Sequence, residues 1–397
     1  MVRHLPANSL TILLLTILTM VLSSCAPQAT PAPATKAPVA TPATTEALTS
    51  ATKNLGWHNV MADGVLKIAI AHSNPITDGG WSQAHHEAIV AVLNHFGDKV
   101  KLVGEVESMP YSPDATRTIQ QFISDGAEVI FIDSEYADLI YPVVDANPDV
   151  IFEECNGFKW TDNLVFYYYP AAFSEYLEGV AAGYLTKSKK IGFIGSFPTL
   201  GSNITAYNAF TMGVRSVVPD ATVHVVNINS WFDPAAERQA NEALYAEGVD
   251  YIAAYVASPD LITFGEEKGI WTSLGGTDFV KYGPHSYVGG SKQNWVGAYI
   301  QEVQKAIDGS WTGNRWWLVP FGPDDFGMWP WGPAVPKDIV TKLDDMYKKL
   351  YTGEFNPFVG PIKDNTGVVR FNKGEVMDDM YRYRDWNWPV EGVIVSK

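Results

Sequence analysis

From Val65 onward the sequence alternates between short apolar runs and longer stretches in which apolar residues recur at helical spacing. Val65–Ala71 (VLKIAIA) reads as a strand and Trp81–Phe96 as a helix. Val100–Val106 is the next strand, and Ser112-Pro113-Asp114 then opens a helix with Ser112 as N-cap and Pro113 in the first turn. Glu128–Asp133 (EVIFID) gives a third strand, followed by a helix near Ala137–Ala146. The pattern restarts at Lys190–Ser196 (KIGFIGS), with a helix over Ser202–Val218 and a strand at Thr222–Ile228. Asp233-Pro234 opens a further helix, and Tyr251–Val256 is a strand. Two such runs predict two α/β lobes, each a parallel sheet covered by helices. Gln293–Asp308 reads as a helix, and the aromatic, proline-rich stretch Trp311–Pro336 as an irregular return between the lobes.

The first few dozen residues do not share this pattern. Arg3 precedes an uncharged apolar run from Leu10 to Leu22. Such a run is shorter than the roughly 18–20 residues that span a bilayer, so it reads as the core of a secretory signal. It ends in Leu22-Ser23-Ser24-Cys25, which resembles a bacterial lipobox, where the cysteine thiol takes a diacylglycerol and becomes the new N-terminus. Ala26 to about Lys53 is mostly Pro, Ala and Thr and reads as an extended tether, having too little apolar bulk to fold. The expected organisation is a signal over residues 1–24 and the lipidated Cys25 with its tether over 25–57. A first lobe then covers 58–186, with a returning segment near 286–320. A second lobe covers 187–285, and residues 321–397 pack across both. The location implied is the extracytoplasmic side of a membrane.

Composition narrows the function classes. The chain of 397 residues carries 28 basic and 44 acidic residues, a formal net charge of −16, so it lacks the clustered bases that nucleic-acid backbones require. Two cysteines make neither a disulfide scaffold nor a four-thiolate zinc site, and Cys155, at the end of an apolar stretch, reads as a buried free thiol. No Walker A sequence, GxSxG elbow, HExxH or GxGxxG occurs. His85-His86-Glu87 is the one dense histidine cluster; adjacent helix positions point about 100° apart, so it reads as a solvated helix face and no metal is expected.

The informative residues follow the strands, where ligands of open α/β sheets sit. After the first strand come Asn74, Asp78, Gly79, Gly80 and Trp81. The glycines permit close backbone approach to a ligand, and Trp81 offers a flat face or packs inward behind a capped turn. Ser134 and Glu135 follow the third strand, Phe197-Pro198 and Asn229–Pro234 (NSWFDP) the strands of the second run, and Ala257-Ser258-Pro259 the last. Aromatic faces with a few polar groups suit a planar heterocycle, and the absence of nearby bases argues against a phosphorylated one.

These motifs bear a resemblance to a known family. Pro75-Ile76-Thr77-Asp78-Gly79-Gly80-Trp81, Ser196-Phe197-Pro198, Asn208–Thr211 (NAFT), the NSWFDP stretch, Asn294-Trp295 and Phe358–Ile362 (FVGPI) occur in order from about Val65 to the C-terminus. The chain resembles the basic membrane protein (BMP) family of ABC-transporter substrate-binding lipoproteins, which includes purine nucleoside receptors. The resemblance implies a type I periplasmic-binding-protein fold, with two Rossmann-like lobes of parallel strands closing on a ligand cleft. It also implies a purine nucleobase or nucleoside as ligand, an ABC permease as partner, a lipid-anchored monomer, and neither cofactor nor nucleic acid. Carried onto this sequence it makes Trp81, Phe197 and Trp231 stacking residues and Asn74, Asp78, Ser134 and Asp278 polar contacts. Two departures bear on the ligand: Ala257 stands where relatives often carry an acid, and Gly276 competes with Asp278 for the place of a ligand-binding aspartate. The alternatives are a secreted carbohydrate hydrolase acting through Asp or Glu, since Trp faces also suit sugars, and a sensor presenting its ligand to a membrane receptor.

Overall fold

The computed structural model describes residues 61–396. The signal sequence, Cys25 and the tether lie outside the described residues. In the first lobe, strands β1 (Leu66–Ala71), β2 (Val100–Val106), β3 (Val129–Ile132), β4 (Ile151–Cys155) and β5 (Leu164–Tyr168) alternate with helices α1 (Trp81–Phe96), α2 (Pro113–Ser124) and α3 (Tyr141–Ala146). Helix α4 (Ala171–Leu185) leads into the second lobe. There β6 (Lys190–Gly195), α5 (Gly201–Val217), β7 (Thr222–Asn227), α6 (Pro234–Ala246), β8 (Tyr251–Ala254), α7 (Asp260–Lys268), β9 (Trp271–Leu274) and β10 (Tyr287–Gly289) follow in turn. The remainder comprises β11 (Ser291–Lys292), α8 (Val296–Asp308), β12 (Trp316–Leu318), β13 (Gly327–Met328), α9 (Lys337–Tyr351), β14 (Ile362–Lys363), β15 (Val369–Phe371) and β16 (Val393–Val395).

Both main sheets have six parallel strands, in the orders β12-β5-β4-β3-β1-β2 and β10-β9-β8-β6-β7-β16. Each reverses direction of growth beside its first strand, between β1 and β3 or between β6 and β8, the switch that opens a crevice at the strand ends. Strands β3, β4, β5 and β8 are buried along their whole length, because helices cover both faces. Helix starts follow local chemistry: the Ser112 hydroxyl accepts from Asp114 N–H, and the Asp233 carboxylate accepts from Ala235 and Ala236 N–H, each with proline next in sequence.

The lobe boundaries differ from the expected ones. Helix α4, expected in the first lobe, packs on α5 in the hydrophobic core of the second. Strand β10, inside the segment expected to return to the first lobe, edges the second sheet. The return is made by α8, which packs against α1, and by β12, which edges the first sheet. Strand β16 then closes the other edge of the second sheet beside β7. The C-terminal segment touches both lobes: Thr205 donates to the Arg382 carbonyl, and the Tyr383 hydroxyl donates to the Asn156 carbonyl. Among the described residues no helix is long and apolar enough to cross a membrane.

Glycines set the α4–α5 contact. A methyl group at Gly179 would collide with the Phe210 carbonyl, and one at Gly213 with the Tyr176 carbonyl. Glycine inside a helix costs about 1 kcal/mol relative to alanine, so both positions trade helix propensity for backbone contact. Gly179→Ala is expected to lower stability by roughly 1–3 kcal/mol through overpacking, read as a lower urea midpoint at unchanged m-value; an unchanged or raised midpoint would contradict this packing.

Candidate functional site

The strand ends of the two sheets face one cleft. Ser73 and Asn74 follow β1, Ser134 and Glu135 follow β3, Asn156 follows β4 and Tyr169 follows β5. From the second lobe come Trp231 after β7, the residues 254–257 at the end of β8, and Gly275 after β9. Glu175 of α4, Ser291 of β11 and Gln293 complete the wall with Gly80 and Trp81. The space between these walls, counted with the solvent at its open mouth, is about 700 Å³.

At one lip the lobes touch directly. Thr277 N–H donates to the Gly79 carbonyl at 3.3 Å, and the Thr277 hydroxyl donates to the same oxygen. A methyl group at Gly276 would come within 2.9 Å of Gly80 Cα. Gly276 therefore lets the second lobe approach the backbone at Gly80, and Gly80 itself borders the cleft as expected of it. A second bridge joins the hydroxyls of Tyr169 and Tyr255 across the cleft.

Of the residues expected from the sequence, Asn74, Trp81, Ser134 and Trp231 line this space together. Trp81 satisfies both of its readings. Its indole N–H donates to the Asp133 carbonyl at 2.6 Å, and its ring lies against Tyr169 and Trp295 at 5.0 and 5.3 Å while bordering the cleft. Ser134 Oγ is 2.6 Å from the Tyr111 hydroxyl. Phe197 stands behind the wall, edge-to-face with Trp231 at 5.9 Å, and Tyr255 flanks Trp231 at 5.7 Å. Asp78 is buried and caps α1, accepting from the N–H groups of Gly80 at 2.8 Å, Ser82 at 3.1 Å and Gln83 at 3.2 Å. Its carboxylate thus satisfies the orphan donors of a helix start. Burial raises its pKa while those three bonds pull it down. Asp278 is exposed, accepts from Val280 N–H at 3.0 Å and lies outside the lining; Gly275 occupies the wall instead.

Of the wall acids, Glu135 stands after a strand recognised in the sequence, whereas Glu175 was not singled out. Glu175 and Glu178 are the only charged residues of α4, a signal present in its otherwise apolar sequence AAFSEYLEGVAAGYL. Glu175 is buried, one carboxyl oxygen has no partner among protein groups, and burial followed by repulsion from Glu178 raises its pKa well above the carboxylate range. Burial and then the Glu154 charge push Glu135 up to about 8, against a hydrogen bond from Tyr383. At neutral pH these carboxyls hold their protons and act as neutral donor–acceptor groups. Asn156 Oδ1 and Gln293 Oε1, also of the wall, have no hydrogen-bond partner among the described residues. Buried polar groups left unpaired cost about 1–3 kcal/mol each, so a ligand supplying donors is favoured there. Among the described residues no Lys, Arg or His borders the cleft.

The histidine pair departs from expectation. His85 is fully buried, stacked on Trp295 at 4.3 Å with Nδ1 2.5 Å from the Tyr299 hydroxyl, and burial pushes its pKa down to about 3. His86 faces the other way, toward Glu105 at 2.8 Å. Cys155 is a buried free thiol.

Two parallel six-stranded lobes with polar and aromatic groups at their facing strand ends define a type I periplasmic-binding-protein fold. Solved structures share it: a solute-binding protein of an ABC transporter from Aeropyrum pernix has a TM-score of 0.62 at 12% identity, covering 80% of this chain and 95% of that one. One from Conexibacter woesei has a TM-score of 0.56 at 21% identity, covering 74% and 98%. The Bmp family, described as ABC transporter substrate-binding protein PnrA-like, matches residues 65–319, and the chain belongs to it. Among relatives, a purine-binding protein of Brucella abortus is 32% identical over 80% of this chain and 90% of its own length. A putative ABC transporter glucose-binding protein of Haloferax volcanii is 29% identical over 74% of each. Proteins of this family are extracytoplasmic, bind small molecules and deliver them to ABC permeases; the family is one of binding proteins rather than enzymes.

Buried groups give the fold a pH signature. Glu135, Glu178 and Glu237 titrate at about 8 in the folded protein, burial being the leading cause, against 4.5 for the free group. The folded state therefore binds these protons more tightly, and stability falls as pH rises toward 8. His72 opposes burial with hydrogen bonds to Asp133 and Glu105 and titrates at about 9, so its contribution is present below 6.5 and is lost as pH rises through 9. His85 acts in the opposite sense but only below 6.5. Between pH 6.5 and 8 all four groups pull one way, each by up to about 1.4 kcal/mol per pH unit. The melting temperature of the ligand-free protein is expected to fall across that window; a rise would contradict the protonation states assigned to the buried acids.

Proposed function

We propose that the protein is a lipid-anchored substrate-binding protein of an ABC importer that captures a purine nucleobase or nucleoside outside the cytoplasm. The observation that carries this reading is the cleft wall: Trp81 and Tyr169 from one lobe and Trp231 and Tyr255 from the other, with neutral carboxyl and amide groups and no cationic side chain among the described residues. Aromatic faces stack a flat heterocycle at about 0.5–1.5 kcal/mol per contact beyond area burial. Asn156, Glu175 and Gln293 offer hydrogen-bonding atoms at its edge, and Asn74 and Ser134 lie beside them. In this reading Asp78 and Phe197 act indirectly, fixing the helix start and the Trp231 ring, and Asp278 makes no contact. The purine-binding relative supports the ligand class. Function is capture by lobe closure: contacts made from both lobes at once stabilise the closed form over the open one. The protein works as a monomer beside its permease.

Equilibrium titration with nucleobases, nucleosides, nucleoside monophosphates and glucose tests this directly. Micromolar or tighter binding is expected for at least one base or nucleoside, with the matching monophosphate at least tenfold weaker because no cation meets its charge. Binding of glucose without any purine would replace the purine reading with the sugar reading that the Haloferax relative suggests. Mass spectrometry after incubation is expected to return the ligand unaltered, and turnover would point to a hydrolase.

Trp231 is half-buried and has fewer structural neighbours in its rings than Trp81, so it gives the cleaner mutation. Trp231→Ala is expected to weaken ligand binding by roughly tenfold or more, about 1.4 kcal/mol, at a melting temperature within a few degrees of the parent. Undiminished affinity would move the site elsewhere.

A further inference from the structure

Three side chains separated by 14 and 19 residues in sequence meet at the cleft end of the first sheet. His72 directly follows β1, and its main-chain N–H donates to the Val106 carbonyl at 2.8 Å, continuing the β1–β2 ladder. Glu105 is the penultimate residue of β2, paired in register with Ile70. His86 lies in the second turn of α1. His72 Nε2 is 3.0 Å and His86 Nδ1 2.8 Å from the same Glu105 oxygen, Oε1. The three ligand atoms all lie within 4.8 Å of one another.

The group behind them has the form that metal sites use to orient an imidazole. His72 Nδ1 is 3.1 Å from Asp133 Oδ2, and both side chains are fully buried. A carboxylate on Nδ1 fixes a proton there and orients the ring so that Nε2 faces the other two groups, where a bound ion would displace the Nε2 proton now shared with Glu105. Asp133 is itself held by Ser73 N–H at 2.8 Å and the Ser82 hydroxyl at 2.8 Å, so the arrangement is rigid. His86 and Glu105 are 29% and 22% exposed, which leaves a way in from solvent and room for a water ligand.

We propose that His72, His86 and Glu105 form a binding site for a divalent transition-metal ion of the zinc class. The ion is held through His72 Nε2, His86 Nδ1 and a Glu105 carboxylate oxygen, with a fourth position open to water. Two imidazoles and one carboxylate select zinc-class ions over calcium or magnesium, which take oxygen ligands. Bonds of about 2.0–2.2 Å to one ion require the side chains to draw together, and His86 and Glu105 are the partly exposed ones. The ion takes the place of the protons now shared between the histidines and Glu105. Through Asp133 it braces Ser73 and Trp81, both of which border the cleft.

The test uses purified, untagged protein stripped with chelator and titrated with Zn²⁺ by calorimetry, and with Co²⁺ by visible absorption. Expected are one equivalent of Zn²⁺ at micromolar or tighter affinity and the intense visible bands of a four-coordinate cobalt site. His86→Ala and Glu105→Gln each remove a partly exposed ligand and are expected to weaken Zn²⁺ binding at least tenfold. His285→Ala, at an exposed histidine paired with Glu266, is expected to leave it unchanged. Absence of Zn²⁺ binding to the parent protein, or undiminished binding in both ligand variants, overturns the proposal. These readouts do not involve the organic ligand, so their failure leaves the purine reading intact.

Discussion

One buried carboxylate ties the first half of the cleft together. Asp133 stands at the end of β3, fully shielded from solvent, and its two oxygens take the Ser73 N–H, the Ser82 hydroxyl and the His72 ring. Its carbonyl takes the Trp81 indole. A bare charge there would be costly to desolvate; three charge-assisted hydrogen bonds offset that cost and hold its pKa below the usual value although burial opposes them. The C-terminal end of β1, the first turn of α1 and the end of β3 are thereby locked to one another. Together with the Tyr169 and Trp295 rings, this lock holds the Trp81 ring on the cleft wall.

The cleft itself is organised on the opposite principle. Where Asp133 stays ionised through satisfied bonds, Glu135 and Glu175 have few partners and remain neutral. The protein as a whole carries a formal net charge of −16, so its exterior and its cleft differ sharply in character. An anionic solute meets repulsion outside and no cation inside, whereas an uncharged polar solute meets neither obstacle. Discrimination among uncharged solutes falls to the aromatic spacing and to the unpaired amide and carboxyl atoms, because a polar atom left unsatisfied penalises the wrong ligand more than an extra contact rewards the right one.

Much of this was legible in the amino-acid sequence, for identifiable reasons. The strands β1, β2, β6 and β7 and the helices α1, α2 and α6 announce themselves by period and by caps such as Ser112-Pro113 and Asp233-Pro234. Strand β4 was hidden because IFEEC places two acids inside a buried strand, and only the fold supplies their partners. Helix α4 is buried along most of its length and apolar apart from Ser174 and two glutamates, so its own pattern does not say which lobe it joins. In the cleft, residues directly following strands were visible as candidates, and four of the seven named meet there. Asp78 looked like a ligand contact because a capping carboxylate and a binding carboxylate carry the same local signal. Glu175 and Gln293 were missed because they reach the cleft from segments that cross between the lobes, where sequence neighbours give no hint of spatial ones.

The edge strands carry a consequence for how the chain is made. Strand β12, which pairs with β5, and strand β16, which pairs with β7, are each encoded more than a hundred residues after their partners. A chain emerging from its N-terminal end therefore presents the first sheet with an open edge until residue 318 is available, and the second until residue 395. Open parallel edges are templates for wrong pairing, and such distant pairings form slowly. Neither lobe is complete as an independent intermediate. Neither sheet can therefore be completed until nearly all of the chain has been released, and the two lobes finish folding together.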